Sequence, residues 1–375
     1  MNYRPVILIG QGIRSNPALI NFLCSQQMPV LTTWMAADLI PENHPAFCGR
    51  PGIFGQRAAN IILQKADEIR CFGARLDGEQ VAYDYERFAP NAKRKYFADA
   101  DIAECARMKT YGWDVSVVDI SKKLQPPYED PYNLDGSWLA WCKALYTRFR
   151  SELPILTDVP SEYVDPFMFI NYLSEFSTPN DVFAIGSSGN APTVFYQAFK
   201  VQAGQRISNV STIGAMGADI PMALGACLAT GRRTICVTGD GGFQLNTQEL
   251  ETIRRLRLQI IFFVMNNNGY NSIRTAQMAR FGRVMGADPQ SGLTLPLIED
   301  IATGYRIPYM KLWGRDLPDF QRCFDYAPII IEIMVDPEWQ QFPRVMASMV
   351  DGQLQTDDMQ DMTPKIDDLQ ALMEY

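Results

Sequence analysis

A set of short, uninterrupted apolar runs limits the folds open to this chain more than any other feature of its sequence. In the run at 260–265, Ile-Ile-Phe-Phe-Val-Met, no polar residue alternates with the apolar ones, which is typical of a parallel strand covered by helices on both faces. Such runs recur between segments of helical character, and this alternation predicts an α/β fold of doubly wound parallel sheets with right-handed crossovers. The predicted strands are 5–9, 29–33, 68–73, 181–185, 233–238, 259–265, 309–313 and 328–334.

The length of the chain and the position of its prolines predict two domains. One hydrophobic core rarely serves 375 residues, and several prolines at 124–164 interrupt the alternation around an aromatic helix at 137–149. The predicted parts are a first domain at 1–123, a connection at 124–164, a second domain at 165–338 and a Met- and Asp-rich tail at 339–375. We expect Trp138, Trp141 and Tyr146 to pack the helix of the connection on a neighbouring domain.

The composition excludes several classes of function. The formal charge of -8 comes from 34 basic and 42 acidic residues scattered along the chain, so nucleic acid is not an expected partner. We find neither a signal peptide nor a run of membrane-spanning length. The eight cysteines form no CxxC pair, so we expect a cytoplasmic, reducing environment without a zinc site. His44, the single histidine, is interpreted as a loop residue bonded to backbone.

Polar residues follow two of the predicted strands. Strand 233–238 runs into Gly239-Asp240-Gly241-Gly242, and strand 259–265 runs into Asn266-Asn267. Asp240 and Asn267 are 27 positions apart (267 - 240), which is one strand–helix–strand circuit. Their side chains should therefore meet at the carboxyl ends of neighbouring strands, where open α/β sheets bind ligands. Asp240, the Asn267 amide oxygen and a backbone carbonyl near Gly269 would suit magnesium, which takes few protein oxygens beside phosphate and water.

Glycines around Asp240 predict a phosphate site beside the metal. Gly239, Gly241 and Gly242 let backbone N–H groups approach a phosphate closely. We expect Asn246 to cap a helix at 247–256, with Glu249 as its capping-box partner. That helix would present its positive end behind the phosphate site.

These residues together resemble the diphosphate-anchoring motif of thiamine-diphosphate enzymes. The segment Gly214-Ala215-Met216-Gly217 resembles the acetolactate synthase segment whose methionine supports the bent form of the cofactor, and 186–191 lies where the family has a second phosphate-contacting loop. The resemblance implies cofactor binding by Gly186, Ser188, Gly189, Asn190, Gly214, Met216, Gly239, Gly241, Gly242, Tyr270 and Ile273, and magnesium binding by Asp240, Asn267 and Gly269. The Gln-His-Gln that acetolactate synthases often have in that loop is absent, which leaves the substrate open.

The first domain resembles the Rossmann-like central domain of the same family. The similar segments are Gly10-Gln11-Gly12, Thr32-Thr33, His44-Pro45, 49–52, Ala59-Asn60 and 73–77. Acetolactate synthases bind FAD with this domain, but Arg-Leu-Asp-Gly-Glu at 75–79 departs from the Arg-Phe-Asp-Asp-Arg of flavin binders. A purely structural domain is therefore favoured, and FAD is the alternative. The tail and 267–274 are most similar to acetolactate-synthase-like proteins of surface-polysaccharide gene clusters.

The resemblance implies a thiamine-diphosphate enzyme that decarboxylates a 2-keto acid such as pyruvate and ligates the two-carbon unit to a keto acid or keto sugar. The alternatives are a simple decarboxylase subunit and a non-catalytic relative acting as a regulatory or scaffolding partner. The resemblance begins at the central domain, whereas the activating glutamate belongs to the pyrimidine-binding domain of the family. We therefore expect no catalytic residue in this chain, no activity of the chain alone, a separate pyrimidine-binding subunit, and a homo- or hetero-oligomer.

Overall fold

The computed structural model describes residues 3–118, 134, 136–152, 159–210, 213–315, 317, 320–350 and 353–374. The chain divides into two compact units, one of Met1–Leu156 with Phe342–Tyr375 and one of Thr157–Gln341. Each unit is built on a main sheet in which all strands are parallel. The predicted α/β class with two parallel-sheet domains is confirmed. A bilayer-spanning helix is not found among the residues that the structure describes.

The first unit has a sheet with the strand order β2-β1-β3-β4-β5. Its strands are β1 (Pro5–Ile9), β2 (Val30–Thr32), β3 (Glu68–Phe72), β4 (Arg94–Asp99) and β5 (Asp114–Val117). Its first helices are α1 (Pro17–Cys24), α2 (Arg57–Lys65), α3 (Ile102–Thr110) and α4 (Ser137–Glu152). Helix α1 begins at Pro17, because Asn16 Oδ1 accepts from Leu19 N at 3.0 Å and proline is favoured in the first turn of a helix.

Helix α4 belongs to the core of this first unit. Trp138 and Tyr146 are both 5% exposed, and Trp138 Nε1 donates to the Pro5 carbonyl at 2.9 Å. Of the predicted connection at 124–164, residues 124–133, 135 and 153–158 lie outside the described residues.

The tail also packs within the first unit. It forms an antiparallel hairpin of β12 (Ala347–Val350) and β13 (Gln353–Thr356), and it ends in α12 (Leu369–Glu374). Arg57 on α2 donates to the carbonyls of Met362 and Pro364 at 3.1 and 2.6 Å. Asn60 Nδ2 donates to the Met359 carbonyl at 3.0 Å. Helix α2 therefore connects the tail to the sheet of this unit.

The second unit has a sheet with the strand order β10-β11-β9-β8-β6-β7. Its strands are β6 (Val182–Ile185), β7 (Arg206–Ser208), β8 (Thr234–Gly239), β9 (Ile260–Asn266), β10 (Tyr309–Leu312) and β11 (Ile329–Met334). Its helices are α5 (Pro166–Phe176), α6 (Asn190–Ala198), α7 (Asp219–Thr230), α8 (Asp240–Phe243), α9 (Glu249–Leu256), α10 (Asn271–Phe281) and α11 (Ile298–Tyr305). The apolar run at 260–265 is at most 2% exposed, as predicted for a strand covered on both faces.

The strand order of the second unit determines where a ligand crevice opens. Strands β6 and β8 are neighbours, and the chain continues from β6 to β7 on one side of this pair and from β8 to β9 on the other. Such a reversal separates the loops at the carboxyl ends of the two strands and leaves a crevice between them. The loops after β6 and β8 face that crevice.

The expected capping box at Asn246 is wrong. Helix α9 begins at Glu249, and Gln248 precedes it without a side-chain cap. Asn246 lies in the 3-10 turn Gln244–Asn246, and its Nδ2 donates to the Gly217 carbonyl at 2.7 Å. The side chain holds the loop before α7 instead of the end of α9.

The contacts of Asn60 predict a strong effect of its removal. Asn60 is fully buried, and besides Met359 it bonds both the N–H and the carbonyl of Gly52, at 2.9 and 3.0 Å. Asn60→Ala should lower the free energy of unfolding by about 2 to 4 kcal/mol, because buried backbone groups lose their partners. Urea unfolding followed by tryptophan fluorescence measures this. The exposed control Asn43→Ala should stay within about 0.5 kcal/mol, and equal losses in both variants would contradict the assignment.

Candidate cofactor and metal site

A cleft of about 580 Å³ lies at the carboxyl ends of β6, β8 and β9. It is lined by all but one of the predicted site residues, namely Gly186, Ser188, Gly189, Asn190, Met216, Gly239, Asp240, Gly241, Gly242, Asn267, Gly269, Tyr270 and Ile273. Gly214 is the exception; it lies in the turn before α7, where its N–H donates to the Val210 carbonyl at 3.2 Å. The structure thus brings together residues that are distant in the sequence.

Asp240 joins the ends of two neighbouring strands. Its Oδ1 accepts from Gly241 N and its Oδ2 accepts from Gly269 N, both at 2.8 Å. The residue is 4% exposed, and burial raises the pKa of its carboxyl to about 6, although the N–H groups of Gly269 and Gly241 and the charge of Arg274 act in the opposite direction. A buried carboxylate without a full countercharge is a strong site for a cation.

The two asparagines after β9 point in different directions. Asn266 Nδ2 donates to Glu332 on β11 at 2.6 Å, whereas Asn267 lines the cleft and is 8% exposed. Consecutive residues of an extended strand face opposite sides, which explains the difference. The Asn267 Oδ1 atom is buried without a hydrogen-bond partner among the described residues. A buried, unpaired carbonyl oxygen is costly, so a bound cation is the ligand that would satisfy it.

Two helices begin at the cleft beside the loop 186–189. Asn190 starts α6 and Asn271 starts α10, and the two side chains share a hydrogen bond of 3.3 Å. The N-terminal turns of helices present free N–H groups and a partial positive charge, which favour an anion. Ser187 Oγ, in the same loop, is buried without a hydrogen-bond partner among the described residues. This side of the cleft therefore suits a phosphate.

Packing explains why residue 241 is a glycine. A Cβ atom there would fall 2.5 Å from Tyr270 Cδ1 and 3.3 Å from Met216 Cε, and the first separation is far below van der Waals contact. Tyr270 and Met216 therefore close over the Gly241 backbone. Met216 and Ile273 remain 36% and 39% exposed at the rim, where they offer apolar contact to a ring.

The sequence-based prediction missed Asp219, Thr238 and several other residues of the cleft. Asp219 is 2% exposed, and its Oδ2 accepts from the Thr238 hydroxyl. Burial raises the pKa of the Asp219 carboxyl to about 6. An aspartate in the first turn of a helix is common at exposed positions, so no separate signal in the sequence marks Asp219 as a residue of the cleft. The others are Ser187, Ala191, Gly217, Met265, Asn271 and Ser272.

Residues 187–324 match the family described as thiamine pyrophosphate enzyme, C-terminal TPP binding domain. Residues 2–124 match the family described as thiamine pyrophosphate enzyme, central domain. The chain belongs to the thiamine pyrophosphate enzymes. The cleft lies in the unit that contains the C-terminal TPP binding domain.

Several individual proteins of this family are similar to the chain over most of its length. The chain is 28% identical over 349 residues to the acetolactate synthase isozyme 1 large subunit of Escherichia coli (strain K12), with 91% of this chain and 60% of that protein covered. It is 29% identical over 285 residues to the acetolactate synthase large subunit of Cyanidium caldarium, covering 74% and 48%. It is 27% identical over 300 residues to the probable acetolactate synthase large subunit of Methanococcus aeolicus, covering 75% and 49%.

These figures show homology to acetolactate synthase large subunits at modest identity. The chain spans about half to three fifths of the length of these relatives. The matched part contains the central and the C-terminal TPP binding domains of the family.

The donors in the cleft fit magnesium and a diphosphate. Asp240 and Asn267 offer the hard oxygens that magnesium takes from proteins, and the buried Asn267 Oδ1 atom has no hydrogen-bond partner in the described part of the chain. The helix N-termini at Asn190 and Asn271 offer backbone N–H groups for phosphate oxygens. Oxygen ligands for a cation and N–H groups for an anion therefore lie in the same cleft.

The contact of Gly241 with Tyr270 predicts that substitution of this glycine destabilises the ligand-free protein. Gly241→Ala should lower the free energy of unfolding by about 1 to 3 kcal/mol, because the new Cβ displaces the Tyr270 ring. Gly239→Ala is the matched control, since the nearest atom to its Cβ outside the adjacent residues would be the Met265 carbonyl oxygen at 4.0 Å. Thermal unfolding of both variants without ligand measures the difference, and equal midpoints would contradict the packing argument.

Proposed function

We propose that this chain is the cofactor-anchoring subunit of a magnesium- and thiamine-diphosphate-dependent enzyme of the acetolactate synthase type. The assembled enzyme, with its second chain, decarboxylates a 2-keto acid such as pyruvate and ligates the two-carbon unit to a second carbonyl, of a keto acid or a keto sugar. The observation that carries the proposal is that Asp240 and Asn267 are both buried at the carboxyl end of the sheet, and that the Asn267 oxygen has no hydrogen-bond partner among the residues that the structure describes. The similarity to acetolactate synthase large subunits supports a 2-keto acid as the substrate that donates the two-carbon unit.

Each group of residues has its own part in binding. Asp240, Asn267 and the backbone at Gly269 hold magnesium, while the loop 186–189 and the turn 239–242 hold the diphosphate. Met216 and Ile273 support the thiamine rings. Thiamine diphosphate, when bound, would supply the carbanion chemistry of the reaction. This chain orients the cofactor and excludes water from the diphosphate end of the cleft.

The carboxylates of the cleft are all on its diphosphate side. Among the described residues that line it, Asp219 and Asp240 are the acids, and no glutamate is present. The glutamate that the family uses to activate the aminopyrimidine ring is therefore proposed to come from a pyrimidine-binding domain on another chain. Exposed apolar side chains at the cleft support such a partner: Ile273 lines it and is 39% exposed, and Leu245, beside Gly217 of the lining, is 48% exposed.

We propose a structural role, without FAD, for the central domain. In the loop after β1, the N–H groups of Gly10 and Gly12 donate to the carbonyls of Phe72 and Gly73, both at 2.9 Å. These are the groups that a pyrophosphate would need. The loop holds β1 against the end of β3.

The metal assignment predicts a loss of cofactor binding without a loss of fold. Asn267→Ala should weaken magnesium-dependent binding of thiamine diphosphate at least about tenfold, since even the outer-shell partners of metal ligands are worth about 10- to 100-fold. Isothermal titration calorimetry measures the affinity. The control Asn180→Ala replaces an exposed asparagine of the same unit and should bind like the unaltered chain. Unchanged affinity in Asn267→Ala would remove the assignment.

The proposed division of the active site predicts that activity needs a second chain. The purified protein with magnesium and thiamine diphosphate should release no carbon dioxide from pyruvate above the uncatalysed rate. Addition of a pyrimidine-binding domain that carries the activating glutamate should restore release, and its Glu→Gln variant should not. Robust turnover by this chain alone would contradict the proposal that the active site is shared between two chains. An added acceptor carbonyl that captures the two-carbon unit distinguishes ligation from simple decarboxylation.

A further inference from the structure

Asp219 is a second buried carboxylate in the cleft, away from the proposed metal ligands. It is the first residue of α7, is 2% exposed, and is one of the residues that line the cleft. Its Oδ2 accepts from the Thr238 hydroxyl and lies 3.1 Å from the position of a Cβ on Gly242. Thr238 Oγ1 in turn lies 3.5 Å from the position of a Cβ on Gly186. Asp219 therefore stands beneath both loops that are proposed to hold the diphosphate.

The charges of the cleft do not compensate this carboxylate. No lysine, arginine or histidine occurs among the described residues that line the cleft. The titratable side chains on elements that pack against α7 are Cys236 on β8, Asp240 on α8, and Glu249, Glu251, Arg254 and Arg255 on α9. Cys236 is a fully buried thiol whose pKa the charge of Asp219 raises further. A diphosphate would thus bring more negative charge to a carboxylate that lacks a cationic partner in the lining.

We propose that Asp219 takes up a proton from solvent when magnesium and thiamine diphosphate bind, and that the protonated carboxyl then donates to the diphosphate side of the cleft. The inference rests on the proposed function. An ionised carboxylate can only accept hydrogen bonds and repels phosphate oxygens, whereas a protonated carboxyl donates one. Burial already raises the pKa of Asp219 to about 6, so little further shift is needed near neutral pH.

The proposal gives cofactor affinity a definite dependence on pH. Because the bound state holds one more proton at Asp219, the affinity must fall as the pH rises above about 6, by up to about tenfold per pH unit. Ionisation of the diphosphate itself acts in the opposite direction, since the more charged form binds magnesium more tightly. A fall in affinity therefore cannot come from the diphosphate group.

Calorimetric titration with magnesium and thiamine diphosphate, in buffers of different ionisation enthalpy, counts the protons taken up at about pH 7. The unaltered chain should take up about 0.5 to 1 proton more than Asp219→Asn, which keeps an acceptor for Thr238 but does not titrate. The matched control Asp300→Asn, an exposed aspartate on α11, should take up as many protons as the unaltered chain.

The outcomes separate this inference from the proposed function. Tight binding with equal proton counts in the unaltered chain and Asp219→Asn would overturn the inference and leave the proposed function intact. Absence of any magnesium-dependent binding by the unaltered chain would overturn both. If Asp219→Asn does not fold, the affinity of the unaltered chain between about pH 6 and about pH 8 decides: a decrease supports proton uptake, and a flat or rising profile overturns it.

Discussion

The carboxylate of Asp240 is the interaction on which the geometry of the cleft depends. Its two oxygens bond the N–H groups of Gly241 and Gly269, so one side chain sets the separation of the loops after β8 and β9. The register of these strands places Gly239 opposite Met265. The loops after β8 and β9 therefore begin at the same level of the sheet. A single charge thus organises backbone groups that a metal and a phosphate would otherwise have to order on binding.

Further hydrogen bonds hold the two helices that begin at the cleft. Asn271 Nδ2 donates to the Pro337 carbonyl at 2.8 Å, and Arg274 bonds the same oxygen. Gln341 Nε2 donates to Gln197 on α6 at 2.8 Å. The segment after β11 therefore holds α10 at its first turns and α6 near its C-terminal end. Rigid support of this kind lowers the ordering entropy that a ligand must overcome.

The sequence predicts the features that depend on a local pattern of residues. It does not predict those that depend on contacts between residues distant in the sequence. The apolar run at 260–265 identifies β9 because burial on both faces removes polar residues. Strands β4 and β5 lie toward one edge of their sheet, where Arg94 and Asp114 are exposed, and no apolar run marks them. Asn266 and Asn267 look equivalent in the sequence, but the alternation of an extended strand turns one to Glu332 and the other to the cleft. Asp219 is not predicted as a residue of the cleft, because its place there depends on Thr238 and Gly186. These residues are distant from it in the sequence, and the sheet brings them close to it.

The return of the tail to the first unit has a consequence for how the protein is made. Residues 342–374 supply carbonyls to Arg57 and Asn60, so the first unit is assembled from both ends of this sequence. The second unit, Thr157–Gln341, is continuous and has all its strands before the tail emerges from a ribosome. Domains generally fold as their residues emerge during synthesis. The cofactor-binding unit is therefore complete while the first unit still lacks the hairpin and the carbonyls that α2 bonds.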